Sequence, residues 1–289
     1  MASERTQESE RTKLTALDIR SRKRGPKLSM VSVYDFPFAR LAEEAGIEIL
    51  LVGDSVGMVV QGHDSTVPVT LDDIVYHARA VRRGAPKTHV VADMPFLTYH
   101  IDTGRAIENA GRLLQEGGAD SVKLEGGQEV AERVAAIVRA GIPVMGHVGL
   151  TPQSAGALGG FKVQGRDAAS ARKILADAQA IADAGAYAMV VEVIPAELGE
   201  MITQSVPVPT IGIGAGPFCD GQVLVGHDML GLQERIIGRF AKVYATIGDD
   251  VRNAFASYAE EIRDGTFPDE EHSYGMAKDV LQQLREPAR

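Results

Sequence analysis

Tryptophan is absent, cysteine occurs once, at Cys219, and aromatic residues make up only 5% of the 289-residue chain. One cysteine closes no internal disulfide and leaves no Cys pair for a zinc ribbon or a CxxC redox site, which fits a reducing, cytoplasmic setting. The scarcity of aromatics removes the stacking platforms of a single-stranded nucleic-acid binder. Basic residues are also outnumbered, 30 Lys and Arg against 39 Asp and Glu, for a formal charge of -9. That charge repels polyphosphate and anionic lipid, so neither nucleic acid nor membrane is expected as the main partner, with a local basic patch the one route left open. No stretch approaches the roughly 18 uninterrupted apolar residues of a membrane span. The N-terminal stretch through Gly25 alternates charges and lacks the apolar core of a secretory signal.

What is present is ordinary for a packed core, 45% apolar and 24% charged residues. The length is about twice the usual domain of roughly 100–150 residues, so two domains or one large α/β barrel are the size classes to separate. Short β-branched runs alternate with longer amphipathic stretches. The runs fall at 28–33, 47–52, 88–92, 121–124, 143–147, 188–193, 209–213 and 222–225, and helical spacing fills 37–45, 71–83, 103–117, 129–140, 168–184 and 196–204. Several helices stop at a Gly before the next strand, at Gly46, Gly118, Gly141 and Gly185, where a left-handed cap excludes a side chain. Eight such units make a closed (β/α)8 TIM barrel the economical architecture, with an open doubly wound sheet as the runner-up. Residues 1–13 are expected to be a disordered extension and 14–289 a single barrel domain. From about 232 the pattern becomes C-terminal helices, whose apolar face of Phe240, Tyr244, Ile247, Val251 and Phe255 is expected to pack on the barrel.

In a parallel barrel the chemistry lies at the carboxyl ends of the strands. Asp54, Asp93 and Glu125 follow strands two, three and four, and three acids without Cys or paired His suit a hard cation such as Mg²⁺. Any one of them alone reads equally as a surface cap. Lys123 alternates with Val122 and Leu124 and would point inward, either to bind a substrate carboxylate or to pair with Glu125 or another acid. Glu192 sits among valines, where desolvation would raise a carboxyl toward the range of a general base; filling a barrel layer is its bland alternative. His147 ends strand five and could polarise a carbonyl or bind substrate, or simply be a satisfied buried histidine. The glycine-rich stretch 212–216 closes strand seven, but Pro217 blocks the helix that a dinucleotide fingerprint needs. The long connection 149–165 has the length of a lid or binding loop. Cys219 has no base at a recognisable spacing and reads as structural.

The same residues stand in longer motifs. Val52-Gly53-Asp54-Ser55-Val56-Gly57-Met58, Gly62-His63-Asp64-Ser65-Thr66-Val67-Pro68, Ala92-Asp93-Met94-Pro95-Phe96, Val122-Lys123-Leu124-Glu125-Gly126-Gly127, Gly146-His147-Val148-Gly149-Leu150-Thr151-Pro152-Gln153 and His227-Asp228 resemble the ketopantoate hydroxymethyltransferase family over about residues 14–272. The resemblance implies a barrel of the phosphoenolpyruvate/pyruvate-binding type, one Mg²⁺ per subunit and a homodecamer. It implies Asp54, Asp93 and Glu125 as metal ligands, Glu125 through water. It also implies Asp54, Ser55, Asp93 and Lys123 as the oxo-acid site, with His147 as a further contact, and Glu192 as proton acceptor; Ser55 enters only through the resemblance. The implied substrates are 3-methyl-2-oxobutanoate and 5,10-methylenetetrahydrofolate, and the products ketopantoate and tetrahydrofolate, in the first committed step toward pantothenate. In the implied reaction the metal acts as a Lewis acid, Glu192 takes the C3 proton, and the enolate attacks the one-carbon unit. The rivals are another Mg-dependent oxo-acid lyase or mutase on this barrel and a catalytically silent metal-binding assembly protein.

Overall fold

The computed structural model describes residues 12–233 and 238–285. Eight parallel strands close into a barrel in sequence order: β1 (Leu28–Ser32), β2 (Ile49–Val52), β3 (His89–Asp93), β4 (Ser121–Lys123), β5 (Val144–Gly149), β6 (Ala188–Glu192), β7 (Thr210–Ile213) and β8 (Gly221–Val225). Closure comes from β8 pairing with β1, Gly221 opposite Leu28 through Val225 opposite Ser32. The open-sheet alternative is therefore excluded.

Helices α1 (Ala16–Ser21), α2 (Phe36–Glu44), α3 (Val56–Val59), α4 (Leu71–Gly84), α5 (Thr103–Gln115), α6 (Ala131–Arg139), α7 (Ala168–Asp183), α8 (Ala196–Ser205) and α9 (Gly226–Met229) accompany the strands. Their starts follow from capping chemistry. Thr70 accepts from Asp73 N while Asp73 reaches back to Thr70 N, which satisfies two orphan donors of α4 at once. Their ends use the recurrent glycine, with φ of +85° at Gly46, +73° at Gly118, +88° at Gly141 and +99° at Gly185, where a Cβ would be strained.

Both faces of the sheet are buried, so the strands read as nearly continuous apolar runs, and strand parity divides them. Met30, Ile49, Leu51, Val91, Met145, Val190, Ile211 and Val223 fill the lumen. Leu50, Val52, Val90, Ala92, Val122, Val144 and Val191 pack outward against the helices. At the amino end of the strands α1 plugs the lumen with fully buried Ile19, and Lys13 and Lys23 pair with Asp120 and Asp220.

The tail departs from expectation. Helices α10 (Ile247–Asp264) and α11 (Lys278–Arg285) form, but neither buries a single residue, and Phe255, Tyr258 and Ile262 stand about half exposed or more. Backbone bonds from Tyr244, Ile247 and Gly248 to Met229, Leu230 and Gly231 tie the start of α10 to the end of the barrel. Beyond that tie the apolar stripe faces outward, so periodicity identified the helix without revealing its partner. Of the extension expected at 1–13, residues 1–11 lie outside the described residues, whereas Lys13 is placed and pairs with Asp120.

Candidate active site

Counting outward along each strand from a lumen residue, every second position stays inside. Val91 leads to Asp93, Ser121 to Lys123 and then Glu125, Met145 to His147, and Val190 to Glu192. The barrel therefore delivers these five side chains to one mouth, and Gly53 and Asp54, following β2, bring Asp54 and Ser55 to it. All seven line a single cavity of about 460 Å³.

Within it the charges are organised as a chain of contacts. Lys123 Nζ lies 2.9 Å from Asp93 Oδ1, and Asp93 Oδ2 accepts from Asp54 N at 3.0 Å. Lys123 Nζ is 3.2 Å from His147 Nδ1, which is itself 3.5 Å from Glu125 Oε1. His147 Nε2 reaches Glu192 Oε2 at 3.1 Å. Asp54, Asp93, Lys123, Glu125 and His147 are almost fully buried, whereas the Glu192 side chain keeps 16% of its surface exposed. The expectation of a thoroughly desolvated Glu192 is thus modified: its strand is apolar, but its carboxyl faces the cavity and a histidine.

These surroundings set the proton positions. Burial, followed by the Asp93 and Glu125 charges, holds the Asp54 carboxyl well above the usual carboxylate range. Burial also raises Asp93, partly opposed by Lys123. Burial alone would raise Glu125, yet His147, Lys123 and the Gln153 N–H outweigh it and lower the group. Burial and the nearby Lys123 would lower His147, but the Glu125 and Glu192 carboxylates push it up to about 9. Burial would likewise deprotonate Lys123, and the three acids around it hold it firmly as an ammonium.

Three neighbours were not named as site residues from the sequence, although Tyr34 and Gln153 stand in its matching motifs. Gln153, on the single 3-10 turn Pro152–Ser154 of the long loop after β5, donates its amide to Asp54 Oδ2 at 2.8 Å and to Met94 O at 3.0 Å. Its backbone N–H donates to Glu125 Oε2 at 3.0 Å. Tyr99 donates to Gln153 Oε1 at 2.8 Å and accepts from Glu125 N at 3.2 Å. Tyr34 OH meets Ser55 Oγ at 2.8 Å. Gln153 and Tyr99 hold acids in place rather than bearing charge themselves, and their one signal was Gln153's place in the motif after His147. Next to Glu192, Val193 takes φ +46°, a costly conformation for a β-branched residue, held by bonds from Val193 N to Ile213 O and from Gln164 N to Val193 O.

The ligand set expected for a metal is brought into one cavity but is not gathered about a common point; among the described residues no trio of His, Cys, Asp and Glu forms a ready-made ligand group. Asp54 and Asp93 are turned instead toward Gln153, Lys123 and backbone. Glu125 Oε1 is buried without a hydrogen bond.

The sequence profile described as ketopantoate hydroxymethyltransferase matches residues 13–270. The chain belongs to the ketopantoate hydroxymethyltransferase family. It is 55% identical over 260 residues to the 3-methyl-2-oxobutanoate hydroxymethyltransferase of Carboxydothermus hydrogenoformans, covering 90% of this chain and 94% of the relative. It is 56% identical over 255 residues to the same enzyme of Heliobacterium modesticaldum, covering 88% and 92%. Among solved structures, a phosphonopyruvate hydrolase superposes with a TM-score of 0.59 at 16% identity, covering 94% of this chain and 95% of that one. The phosphoenolpyruvate phosphomutase of Streptomyces platensis subsp. rosaceus superposes with a TM-score of 0.59 at 15% identity, covering 94% and 96%. These distant likenesses speak for the shared barrel alone. The protein is an enzyme of the hydroxymethyltransferase family, so the silent-assembly and lyase or mutase alternatives fall away.

Proposed function

We propose that this hydroxymethyltransferase draws its one-carbon unit from 5,10-methylenetetrahydrofolate, binds Mg²⁺ through Asp54, Asp93 and Glu125, and uses Glu192 to accept the C3 proton of 3-methyl-2-oxobutanoate. The observation that carries it is the meeting, in one cavity, of three buried acids, one buried ammonium and a carboxylate held by a histidine.

The acid cluster fits a hard divalent cation. Burial and two neighbouring acids hold Asp54 above the usual carboxylate range, and Glu125 Oε1 is left without a hydrogen bond, so a cation would relieve both. Oxygen donors without thiolates favour Mg²⁺ over structural zinc. A phosphonopyruvate hydrolase sharing the fold, TM-score 0.59, is described in complex with oxalate and Mg²⁺, a small dicarboxylate and the same metal. Bound here, the cation supplies Lewis-acid polarisation of the substrate's 2-oxo group.

The protein's own groups do the rest. Lys123 presents a fixed positive charge to the oxo acid and to the negative charge that develops on it. Ser55, oriented by Tyr34, offers a hydroxyl to the same ligand. His147 faces Glu192 through Nε2 at 3.1 Å and keeps its carboxylate aimed at the cavity. Glu192 accepts the C3 proton, C3 bonds to the donor's methylene carbon as one of that carbon's two C–N bonds opens, and water displaces the second, so that its oxygen becomes the hydroxyl of ketopantoate and tetrahydrofolate leaves. The same reading places the enzyme in the cytoplasm as a homodecamer. The exposed apolar stripe of α10 supports assembly.

The test is ketopantoate formation from the two substrates. Activity that requires the folate, disappears with a chelator and returns with Mg²⁺ supports the proposal. Turnover indifferent to chelator or to folate contradicts it.

A further inference from the structure

The cavity is larger than its smaller substrate needs. A five-carbon oxo acid seated among Asp54, Asp93 and Lys123 leaves the outer part of a space of about 460 Å³ unfilled. The same cavity is also lined by two aromatic residues from separate elements, Phe161 on the loop after β5 and Phe240 in the segment after β8. Both are unusually exposed for phenylalanine, 52% and 42%. Phe240 is nonetheless seated. Gly214, at φ +64°, lies so close that a Cβ added there would stand 3.0 Å from the ring Cγ. The ring rests on the bare backbone of Gly214 and Gly238, and the 42% of the residue that stays exposed is the surface on which a planar ligand could stack. The stretch 212–216, too short to cradle a dinucleotide, thus has a different use as the seat of an aromatic platform.

Asp228, half-buried in α9, lines the same cavity and accepts from Gln233 Nε2 at 3.0 Å. A carboxylate can accept the paired N–H donors along the edge of a 2-amino-4-oxo heterocycle. Cations also flank the rings in the chain: Lys162 follows Phe161, and Arg239 and Lys242 bracket Phe240, in a protein whose net charge is -9. A ligand with a flat, amine-edged ring and an anionic tail matches all three features.

We infer that Phe240, Phe161 and Asp228 form the subsite for the pteridine of the reduced-folate donor, with its glutamate tail directed toward Lys162, Arg239 and Lys242. The inference rests on the proposed folate donor. It places the ring beside the oxo-acid site, where the methylene carbon must be delivered.

The experiment titrates tetrahydrofolate into the whole enzyme with Mg²⁺ present and measures the KM for 5,10-methylenetetrahydrofolate in the full reaction. Phe240→Ala and Asp228→Asn are each expected to weaken tetrahydrofolate binding and raise the folate KM at least ten-fold, well beyond any change in the KM for the oxo acid. Phe240→Tyr should restore near wild-type values, which separates stacking from misfolding. Tyr274→Ala, a fully exposed aromatic remote in the chain, should change neither. Folate binding and KM within two-fold of wild type in both Phe240→Ala and Asp228→Asn would overturn the subsite. So would a rise in the oxo-acid KM equal to the rise in the folate KM. Deuterium exchange at C3 of 3-methyl-2-oxobutanoate by the wild-type enzyme without folate distinguishes the layers. Its absence would count against the underlying enolisation, whereas normal exchange with unaltered folate binding in the variants would remove the subsite alone.

Discussion

The barrel lumen holds a buried histidine at each end, and the two are treated in opposite ways. At the amino end, His89 donates from Nδ1 to Leu14 O at 3.0 Å and turns Nε2 toward Ser121 Oγ and Tyr187 OH, at 2.9 and 3.2 Å. Ser121 and Tyr187 meet at 2.8 Å, so this end is closed by a neutral, fully paired network. Burial lowers His89, and the Asp120 charge offsets it only in part. At the carboxyl end, burial acts on His147 in the same direction, but two carboxylates within reach reverse it to about 9. Equal burial in one lumen therefore yields a neutral plug at one end and a cluster of charges at the other. The plug stabilises; the cluster, with Glu125 Oε1 lacking a hydrogen bond and Val193 in a strained backbone conformation, carries cost that packing alone does not repay.

That contrast can be broken at the charged end first. Lys123→Met leaves Asp93, Asp54 and Glu125 facing one another without their ammonium. In urea titrations with chelator present it should destabilise the protein by about 3–5 kcal/mol, the range for an orphaned buried charge. Mg²⁺ should recover part of the loss in the variant, because a second cation then serves the same acids. A change under about 1 kcal/mol would mean that the acids are not mutually repulsive in the fold.

At the neutral end, Tyr187→Phe removes one hydroxyl from a paired network. It should cost about 1–3 kcal/mol of stability, by leaving His89 and Ser121 short of a partner. C3 exchange should stay at the wild-type rate, since the plug lies across the lumen from the acids. Loss of exchange comparable to the loss at a carboxyl-end residue would erase the distinction between the two ends.

The smallest effect is a slope. His89 titrates lower in the folded protein than in the unfolded chain, so its contribution is complete above about pH 6.5. As pH falls below that value the unfolded chain takes up a proton that the fold refuses, and stability declines through the lowered folded pKa. His89→Gln should flatten the change in unfolding free energy between about pH 5 and 7, whatever its effect on the absolute level. An unchanged slope would show that His89 does not resist protonation.

Much of this was legible in the sequence for a definite reason. Eight apolar runs ending in Gly, Asp or Pro dictate the strands, and two-residue parity carries Asp93, Lys123, Glu125, His147 and Glu192 to one mouth. Ser55 was not legible that way, because it sits on the short turn into α3, outside any strand parity; only the motif around Asp54 marked it. Gln153 and Tyr99 were hidden for a related reason, since their importance lies in contacts across 99 and 54 residues of chain that no local pattern encodes. The expected packing of the tail on the barrel holds at its start, where Phe240 rests against Gly214, and not along α10, because an amphipathic period specifies a buried face without specifying what buries it. Val193 was invisible as well: nothing in an apolar run of valines signals a left-handed backbone.

Glu192, facing His147 beside the acid cluster, is the proposed acceptor of the C3 proton. Deuterium exchange at C3 of 3-methyl-2-oxobutanoate, followed without folate and with Mg²⁺ in wild type and Glu192→Gln, tests it directly. Wild type should exchange steadily and the variant should lose at least about 100-fold, the lower bound for a positioned general base. Exchange by Glu192→Gln at the wild-type rate would contradict it.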